Sequence, residues 1–171
     1  MSKYRYGFSS VKAFGIDPAT GLAASGTEVD LTEDILRDTF DFNEEDGTDT
    51  EIYSEMDNTP KLSFSEPGKE TLTFGQMDTS VEKLALFLGG SVVTGGGGEK
   101  TWSKPANAGT IEKRLEIVTL DGYKIIVPRA KVKGLKNFSF RRNGIWTLDL
   151  TFTVLTPGFS LAAIDIIEPA P

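Results

Sequence analysis

The amino-acid sequence predicts a mainly β protein, a β-sandwich or barrel of antiparallel hairpins with a single packed helix. Two observations support this prediction. Apolar and polar side chains alternate with a period of two along most of the 171 residues, and Gly, Pro and Asn interrupt the alternation. Only residues 79–89 place apolar side chains at helical spacing. The length suits one domain with its own core, so we expect a single β domain over residues 1–171.

The alternation predicts a first strand over residues 11–16, a second over 38–42 and a last one over 161–167. Residues 94–109 contain a run of four glycines and lack an alternating pattern. Glycine-rich stretches of this kind are flexible. We therefore expect residues 94–109 to be a mobile connector or an excursion from the domain.

Residues 43–59 are polar and acidic, and their only large apolar side chains are Ile52, Tyr53 and Met56. A loop of this length inside a compact domain is usually functional or disordered. We expect a long acidic loop that becomes ordered on contact with a partner, with a short strand around residues 51–55.

Three hairpins are predicted, and the faces of their strands predict the registers. In residues 61–75 the large apolar side chains all have even numbers. They can share one face of the hairpin only if the loop between its strands has an odd number of residues, as the three-residue loop 67–69 does. In residues 111–127 the dipeptide Asp121-Gly122 is typical of a two-residue turn. The predicted pairs in these two hairpins are Phe64–Leu72, Leu62–Phe74, Val118–Ile125, Ile117–Ile126 and Leu120–Tyr123.

The third hairpin surrounds Asn143-Gly144. A two-residue turn there would place Phe138 and Phe140 on the polar face of the next strand, whereas a three-residue loop over 142–144 places them on its apolar face. We expect a type I turn with a bulge and Gly144 at positive φ. The predicted pairs are Phe140–Trp146, Phe138–Leu148 and Val132–Val154.

The one helix has start and stop signals. Asp78 or Thr79 can cap its N-terminus, and Thr79 and Glu82 have the spacing of a capping box. Apolar side chains then recur on one stripe, and Gly89-Gly90 ends the pattern. We expect this helix to pack against the sheet.

Charge is sorted along the chain. Residues 27–82 contain 17 acidic side chains against three basic ones, whereas residues 99–142 contain 11 Lys and Arg against four acidic side chains. The net charge of the whole chain is −7. Two explanations stay open: an acidic surface of one copy meets a basic surface of another, or two solvated faces neutralise each other within one subunit.

The composition argues against an enzyme, because the chain has no histidine and no cysteine. It therefore lacks the most common general base, the most common zinc ligand and all thiol chemistry. No apolar run is long enough for a membrane span, and the N-terminal residues lack the apolar core of a secretory signal. We expect a protein that is not an enzyme and has no membrane partner.

Two segments look like ligand sites but fail on their spacing. Residues 95–101 are similar to a phosphate-binding loop, but Glu99 stands where the motif needs Gly before Lys. Read as a calcium loop, residues 41–52 place Asp46 at the sixth position, which needs Gly, and Ile52 at the twelfth, which needs Glu. We expect no cofactor and no metal.

The order of the predicted elements resembles the tail tube proteins of tailed bacteriophages. A first strand, a second strand leading into a long polar loop, a hairpin, the helix over 79–90 and further hairpins follow one another across residues 11–155. The helix sequence, TSVEKLALFLGG, and its flanking strands carry much of the resemblance. The tube proteins of contractile injection and type VI secretion machines are similar in fold.

The resemblance implies a β-sandwich or barrel with one packed helix and a structural role in the virion. Members of this family form hexameric rings that stack into a hollow tube, the conduit for genome ejection. The implied partners are other copies of the chain, other tail proteins, and DNA that passes through the lumen without specific binding. The implied location is the virion tail, after assembly in the host cytoplasm.

The sorted charges predict where copies meet. We expect the 43–59 loop to lie against basic side chains of another subunit, and the resemblance adds that tube proteins use a loop at this point to contact an adjacent ring. The basic side chains also suit nucleic acid, but the net charge of −7 favours a protein partner. The candidate contact residues are Glu44, Glu45, Asp46, Asp49, Glu51, Tyr53, Glu55 and Asp57, with Arg129, Lys131, Lys133, Lys136, Arg141 and Arg142.

Two other classes of protein stay open. A carbohydrate- or peptide-binding β module would use an exposed Tyr4, Tyr6, Tyr53 or Trp102. An acid-catalysed hydrolase would use two carboxylates at a fixed separation, and nothing in the sequence selects a pair among 25 acidic side chains.

Overall fold

The computed structural model describes residues 7–107 and 109–170, so Tyr4 and Tyr6 lie outside the described residues. Within these ranges the fold is mainly β, with 52% of residues in strands, antiparallel sheets and a single helix. A 3-10 turn covers Thr32–Asp34, and the helix, α1, is Val81–Leu88. The strands are β1 Phe8–Phe14, β2 Val29–Asp30, β3 Asp41–Glu44, β4 Thr48–Ser54, β5 Asp57–Glu66, β6 Glu70–Gln76, β7 Ser91–Thr94, β8 Lys100–Ser103, β9 Ile111–Thr119, β10 Lys124–Phe138, β11 Trp146–Val154 and β12 Asp165–Ile167.

One eight-stranded antiparallel sheet forms the body of the protein, in the order β2-β1-β9-β10-β11-β6-β3, with β12 paired to the start of β10. The sheet curls, so that strands far apart in this order come close in space. The ring centroids of Phe8 on β1 and Phe40 beside β3, for example, lie 4.9 Å apart. The described strands do not close a barrel. The fold is therefore β-sandwich-like, and the predicted fold class is confirmed in that form.

The core lies on the inner face of the curled sheet. A row of aromatic rings runs along it from Phe40 through Phe74 and Phe152 to Phe87 on α1, with successive centroids 5.5, 5.6 and 6.2 Å apart. Full burial of a side chain of this size contributes about 1.5–3 kcal/mol to folding. The helix thus covers the inner face as the sequence predicts.

Helix α1 begins and ends where expected but is capped differently. The predicted capping box does not form: Ser80 is the N-cap and makes no side-chain cap bond, and its N–H donates to Asp78 Oδ1 at 2.9 Å. Gly89 ends the helix with φ of 73°, in the left-handed region that glycine adopts easily. Gly134 on β10 allows the helix to lie close, because a Cβ there would be 2.6 Å from Leu88 Cδ2.

The hairpin predicted for residues 61–75 is wrong. Strand β5 pairs with β4 rather than β6, so Phe64 lies opposite Thr50 and Leu62 opposite Ile52. Strand β6 pairs with β3 and β11 inside the main sheet. Both pairings satisfy the alternation of β6, but pairing with β11 buries its apolar face in the core.

The β9–β10 hairpin turns through three residues instead of two. Ile117 lies opposite Ile125, and the Thr119 N–H donates to the Tyr123 carbonyl at 2.8 Å. Gly122 has φ of 87°, as the last residue of a type I turn with a bulge requires. The observed register brings apolar side chains of both strands together on the core face. The predicted pairs Val118–Ile125, Ile117–Ile126 and Leu120–Tyr123 are therefore wrong by one residue.

The β10–β11 hairpin keeps the predicted faces but is shifted by two residues. Phe138 lies opposite Trp146, and the loop covers 139–145, where the Gly144 N–H donates to the Arg141 carbonyl at 2.9 Å. Gly144 does not have positive φ. The longer loop lets Phe138 stack on Trp146 with centroids 4.4 Å apart. The predicted pairs Phe140–Trp146, Phe138–Leu148 and Val132–Val154 are wrong as backbone partners.

Residues 94–109 are not a simple connector. Strand β7, which ends at Thr94, and strand β8, which lies within the stretch, form a hairpin, and the four glycines lie in its turn. The indole N–H of Trp102 donates to the Gly89 carbonyl at 2.8 Å, which ties the hairpin to the end of α1.

Three predicted strands occur with different bounds. Strand β1 starts before residue 11 and ends before Ile16, which forms only an isolated bridge to Ala23. Strand β3 starts at Asp41, later than predicted, because Asp38 has φ of 61° and cannot continue an extended strand. Strand β12 covers only the end of the predicted stretch 161–167.

Candidate functional site

The acidic stretch 43–59 is not a loop. Most of it lies in β4 and the start of β5, and these two strands form a separate two-stranded sheet whose residues are all exposed except Asp57. We call residues 48–66 the ribbon. It continues the β3–β6 ladder in an unchanged register, since Asn43 lies opposite Thr71 in the ladder and Thr48 opposite Glu66 in the ribbon.

A joint of residues 45–47 and 67–69 connects the ladder to the ribbon. The Glu45 N–H donates to the Lys69 carbonyl at 2.9 Å, and the two backbones lie close together on either side of this bond. A Cβ on Gly68 would lie 1.6 Å from the Glu45 carbonyl oxygen, and one on Gly47 would lie 2.6 Å from the Glu66 carbonyl oxygen. Glycine is therefore required at both positions for this close backbone approach.

The ribbon has one apolar face and one acidic face. Directly opposed residues share a face, so Ile52 and Leu62 lie with Phe64 on one side, while Asp49 and Glu51 lie on the other. The three apolar side chains are 48%, 55% and 55% exposed. An apolar face of this kind is normally covered by a core or by another molecule.

Some of the predicted contact residues in this stretch are engaged locally. Lys61 Nζ lies 2.6 Å from Asp57 Oδ2, and the hydrogen bond from Lys61 lowers the pKa of Asp57. The Tyr53 hydroxyl donates to Glu51, which raises the pKa of Tyr53. Of the acidic candidates in this stretch, those that make no ion pair within the described residues are Glu44, Glu45, Asp46, Asp49, Glu51 and Glu55.

The predicted basic partners do not form one cluster. Arg129 is held within its own subunit, because its Nε and Nη2 donate to the two carboxylate oxygens of Glu112 at 2.8 and 2.9 Å. These hydrogen bonds lower the pKa of Glu112. Lys131 and Lys133 are exposed on the outer face of β10, opposite threonines of β11.

The other three basic side chains lie on the last part of β10 and in the loop that follows it. Lys136 Nζ lies 5.2 Å from the centroid of the Trp102 ring, and Arg141 and Arg142 are exposed in the loop. Phe140 is 83% exposed and meets the Trp146 ring edge-on, with centroids 5.2 Å apart. We call Phe138, Phe140 and Trp146 the aromatic cluster.

The two charge-sorted segments do not neutralise each other within the subunit. Across residues 7–107 and 109–170, one ion pair joins the acidic segment to the basic segment, that of Lys100 with Glu82. The other ion pairs of the basic segment lie inside it, such as Arg114 with Glu116 at 3.1 Å. Among the described residues, close ion pairs between the two segments are therefore limited to Lys100 with Glu82.

Two features of the described carboxyl groups bear on metal binding and on acid catalysis. No group of three or more acidic side chains among them is placed to hold a metal ion. Burial would raise the pKa of Glu116, but hydrogen bonds from Lys124 and Arg114 outweigh it and lower that pKa. A general acid of a hydrolase needs a raised pKa. The carboxyls whose pKa is displaced are all displaced downward: Asp30, Asp57, Glu82, Glu112 and Glu116.

Two of the four aromatic residues considered for carbohydrate or peptide binding, Tyr53 and Trp102, lie among the described residues. Tyr53 is bonded to Glu51 on the ribbon. Trp102 is half-buried, uses its N–H on Gly89, and has Lys136 over its ring. The ring of Trp102 is thus covered by Lys136, whereas Tyr53 remains exposed on the ribbon and uses only its hydroxyl.

Sequence reasoning missed two parts of this site. Phe140 was assigned to the core because its face alternates correctly, although the basic side chains beside it in the sequence are typical of an exposed hairpin end. The joint was missed because Pro67-Gly68 looks like a hairpin turn. Gly47 and Gly68 lie at similar sequence distances on either side of the polar tip at 55–58, and this is the signal that indicates one long hairpin.

The curled sheet, the exposed ribbon and the aromatic cluster define a class of protein. It is an antiparallel β subunit whose exposed apolar surfaces suit contacts with other macromolecules. The sequence matches the family described as Phage tail tube protein over residues 35–167. Because that match covers most of the chain, the chain belongs to the phage tail tube protein family. A comparison with curated proteins finds no match.

Family membership gives the chain a structural role in the tail of the virion, in assembly with itself and with other tail proteins. No helix in the part of the chain that the structure describes is long and apolar enough to cross a membrane.

Proposed function

We propose that this chain assembles into hexameric rings, that the rings stack into the tail tube, and that the genome passes through the lumen at ejection. The observation that best supports self-assembly is the ribbon, whose apolar face is uncovered in the subunit. An isolated two-stranded ribbon is marginally stable in water. A neighbouring subunit in a ring or stack would supply the missing cover.

Charge supports a contact between copies. The unpaired acidic side chains of residues 43–59 lie against the basic side chains of another subunit. Arg129 and Asp57 contribute less because each is already paired within its subunit. The remaining candidates are Glu44, Glu45, Asp46, Asp49, Glu51, Tyr53 and Glu55, facing Lys131, Lys133, Lys136, Arg141 and Arg142.

The size of the electrostatic effect limits what charge contributes. One exposed ion pair is worth about 0–1 kcal/mol, and charges are screened within about 8 Å at physiological salt. Repetition around a ring of identical subunits multiplies such small contributions, and steering speeds docking. Apolar contact supplies most of the affinity.

The net charge of −7 also suits a tube that carries DNA. Acidic side chains that are not used between subunits face the lumen, where negative charge keeps the passing DNA from binding. Other tail proteins close the ends of the tube, and assembly takes place in the host cytoplasm.

Size-exclusion chromatography and negative-stain electron microscopy of the purified chain test this function. We expect sixfold rings and tubes of stacked rings. A compact monomer at every protein concentration and salt concentration would contradict the proposal and would favour a carbohydrate- or peptide-binding module.

A further inference from the structure

We propose that the apolar face of the ribbon, formed by Ile52, Leu62 and Phe64, packs on the aromatic cluster of a second copy of this chain. This inference rests on the proposed self-assembly and names the contact that supplies its affinity. It joins two different patches on identical chains, so it is a heterologous contact that propagates from copy to copy.

Both patches are uncovered in the subunit. The three ribbon side chains are each about half exposed, and Phe140 and Trp146 in the cluster are 83% and 41% exposed. Large exposed apolar patches on a soluble protein mark interaction sites. Neither patch covers the other within the chain, so a second molecule has to supply the contact.

The two patches agree in size. The Phe138–Trp146 and Phe140–Trp146 centroids lie 4.4 and 5.2 Å apart, so the cluster presents three adjoining rings. On the ribbon, Phe64 stands two residues from Leu62 along the strand, about 7 Å at the usual rise. The flat face of a ribbon can therefore cover the cluster with its apolar row.

The charges around the two patches are opposite. Glu66 continues the apolar face beyond Phe64 by the same alternation, and Glu55 lies at the tip of the ribbon. Arg141 and Arg142 directly follow Phe140 in the exposed loop, and Lys136 lies two residues before Phe138 on β10, with its Nζ over the Trp102 ring. Basic side chains next to the cluster attract an acidic ribbon and favour one orientation.

An apolar cavity at the other end of the inner face is a poorer acceptor. It is lined by Phe8, Phe40, Ile117 and Ile125, and the one charged side chain in its lining is Asp38. A carboxylate at this position repels the acidic ends of the ribbon. The aromatic cluster is therefore the better partner for the apolar face.

Thiol crosslinking tests the contact without background, because the chain has no cysteine of its own. A chain with Thr50→Cys, opposite Phe64 on the apolar face, and Ser139→Cys, next to Phe140, keeps both aromatic side chains; it is assembled and treated with a short thiol-specific crosslinker. We expect a ladder of covalent dimers, trimers and higher oligomers on a denaturing gel. The matched control, Ser63→Cys with Ser139→Cys, places the first thiol on the acidic face of the ribbon, so its ladder should be much weaker.

A second measurement does not depend on thiol geometry. Phe64→Ser and Phe140→Ser are each expected to raise the protein concentration needed for assembly about tenfold or more, and the double variant less than the product of the two effects. Both side chains are exposed, so the subunit should fold as before. Val93→Ser, which alters an exposed apolar side chain outside both patches, is the control that should change nothing.

The outcomes separate this inference from the proposed function. Tubes with a ladder no stronger than the Ser63 control, and no coupling between the serine variants, would overturn the contact and leave the tube function standing. A ladder without rings or tubes would support the contact and overturn the tube. The absence of both ladder and assembly would overturn both.

Discussion

Gln76 is a polar side chain inside an otherwise apolar core. It is fully buried on β6 opposite Leu148, and neither its amide nitrogen nor its amide oxygen has a hydrogen-bond partner within the described residues. A buried polar group without a partner costs about 1–3 kcal/mol. The stability of the subunit is therefore reduced at this position.

Gln76→Met should stabilise the subunit, because methionine keeps the length of the side chain and removes the unpaired amide. We expect the free energy of unfolding to rise by about 1–3 kcal/mol, measured by urea denaturation. Gln76→Ala is the control that removes the amide but leaves a cavity, and it should destabilise. A loss of stability in Gln76→Met would mean that the amide has a partner in solution.

Glu112 gives stability a dependence on pH. Its folded pKa is lowered by hydrogen bonds from Arg129, so its contribution is present above the unfolded pKa of about 4.3 and is lost as the pH falls through the folded pKa. We expect Glu112→Gln to lower the free energy of unfolding by about 1 kcal/mol or less at neutral pH, since the pair is partly exposed to solvent. Urea denaturation from about pH 7 to about pH 2 should show the difference disappear in acid. An equal difference throughout would show that packing is responsible.

The joint is the feature that distinguishes β3 and β6 from an ordinary hairpin. It keeps the register of the ladder while taking β4 and β5 out of the main sheet, and it relies on Gly47 and Gly68. The orientation of the ribbon thus depends on two glycines rather than on packing against the core.

Gly68→Ala should disrupt the ribbon and leave the main sheet folded, because its Cβ would overlap the Glu45 carbonyl oxygen. Hydrogen exchange is the measurement. In the wild type we expect fast exchange of residues 48–66 in the free subunit and slow exchange in the assembly, and in Gly68→Ala fast exchange there under both conditions. Gly96→Ala, where a Cβ meets nothing within 4 Å, should behave like the wild type. Slow exchange of an assembled Gly68→Ala ribbon would refute the requirement for glycine.

The sequence could predict faces better than partners. Alternation is local, so it correctly placed Phe138 on the side of Trp146 even though the register was shifted by two residues. The number of residues in a turn depends on the register in which the two strands bury their apolar side chains. The dipeptide Asp121-Gly122 alone therefore predicts a two-residue turn where the structure has three residues. Strand β6 pairs with β11, which is distant in sequence, and this leaves β5 to pair with β4. A local sequence pattern cannot predict a pairing that depends on a distant strand.

The candidate site shows the same limit. Composition alone located the acidic and basic segments, and both explanations of the sorted charges could be stated from it. That Arg129 is occupied by Glu112, whereas Arg141 and Arg142 form no ion pair among the described residues, requires three-dimensional contacts. The sequence therefore locates the charged segments but does not show which of their residues are already paired within the subunit.

For the molecule as a whole, the central claim is that the acidic stretch of one copy lies against the basic surface of another. Within the subunit one described ion pair connects the two segments, so the attraction is left for contacts between copies. Attraction between exposed charges acts mainly on association rates and weakens with salt. The claim is therefore tested most sharply by the rate of assembly at low ionic strength.

The decisive measurement is the assembly rate, followed by light scattering across a range of salt concentrations, of a chain in which Glu44, Glu45 and Asp46 are all changed to Lys. We expect this variant to assemble much more slowly than the wild type at low salt, with the difference shrinking as salt rises. Adding Arg141→Glu and Arg142→Glu to the same chain should restore the rate, because the opposite charges then meet again. If the triple variant assembles as fast as the wild type at low salt, these carboxylates are ordinary solvated surface and the account of the interface is wrong.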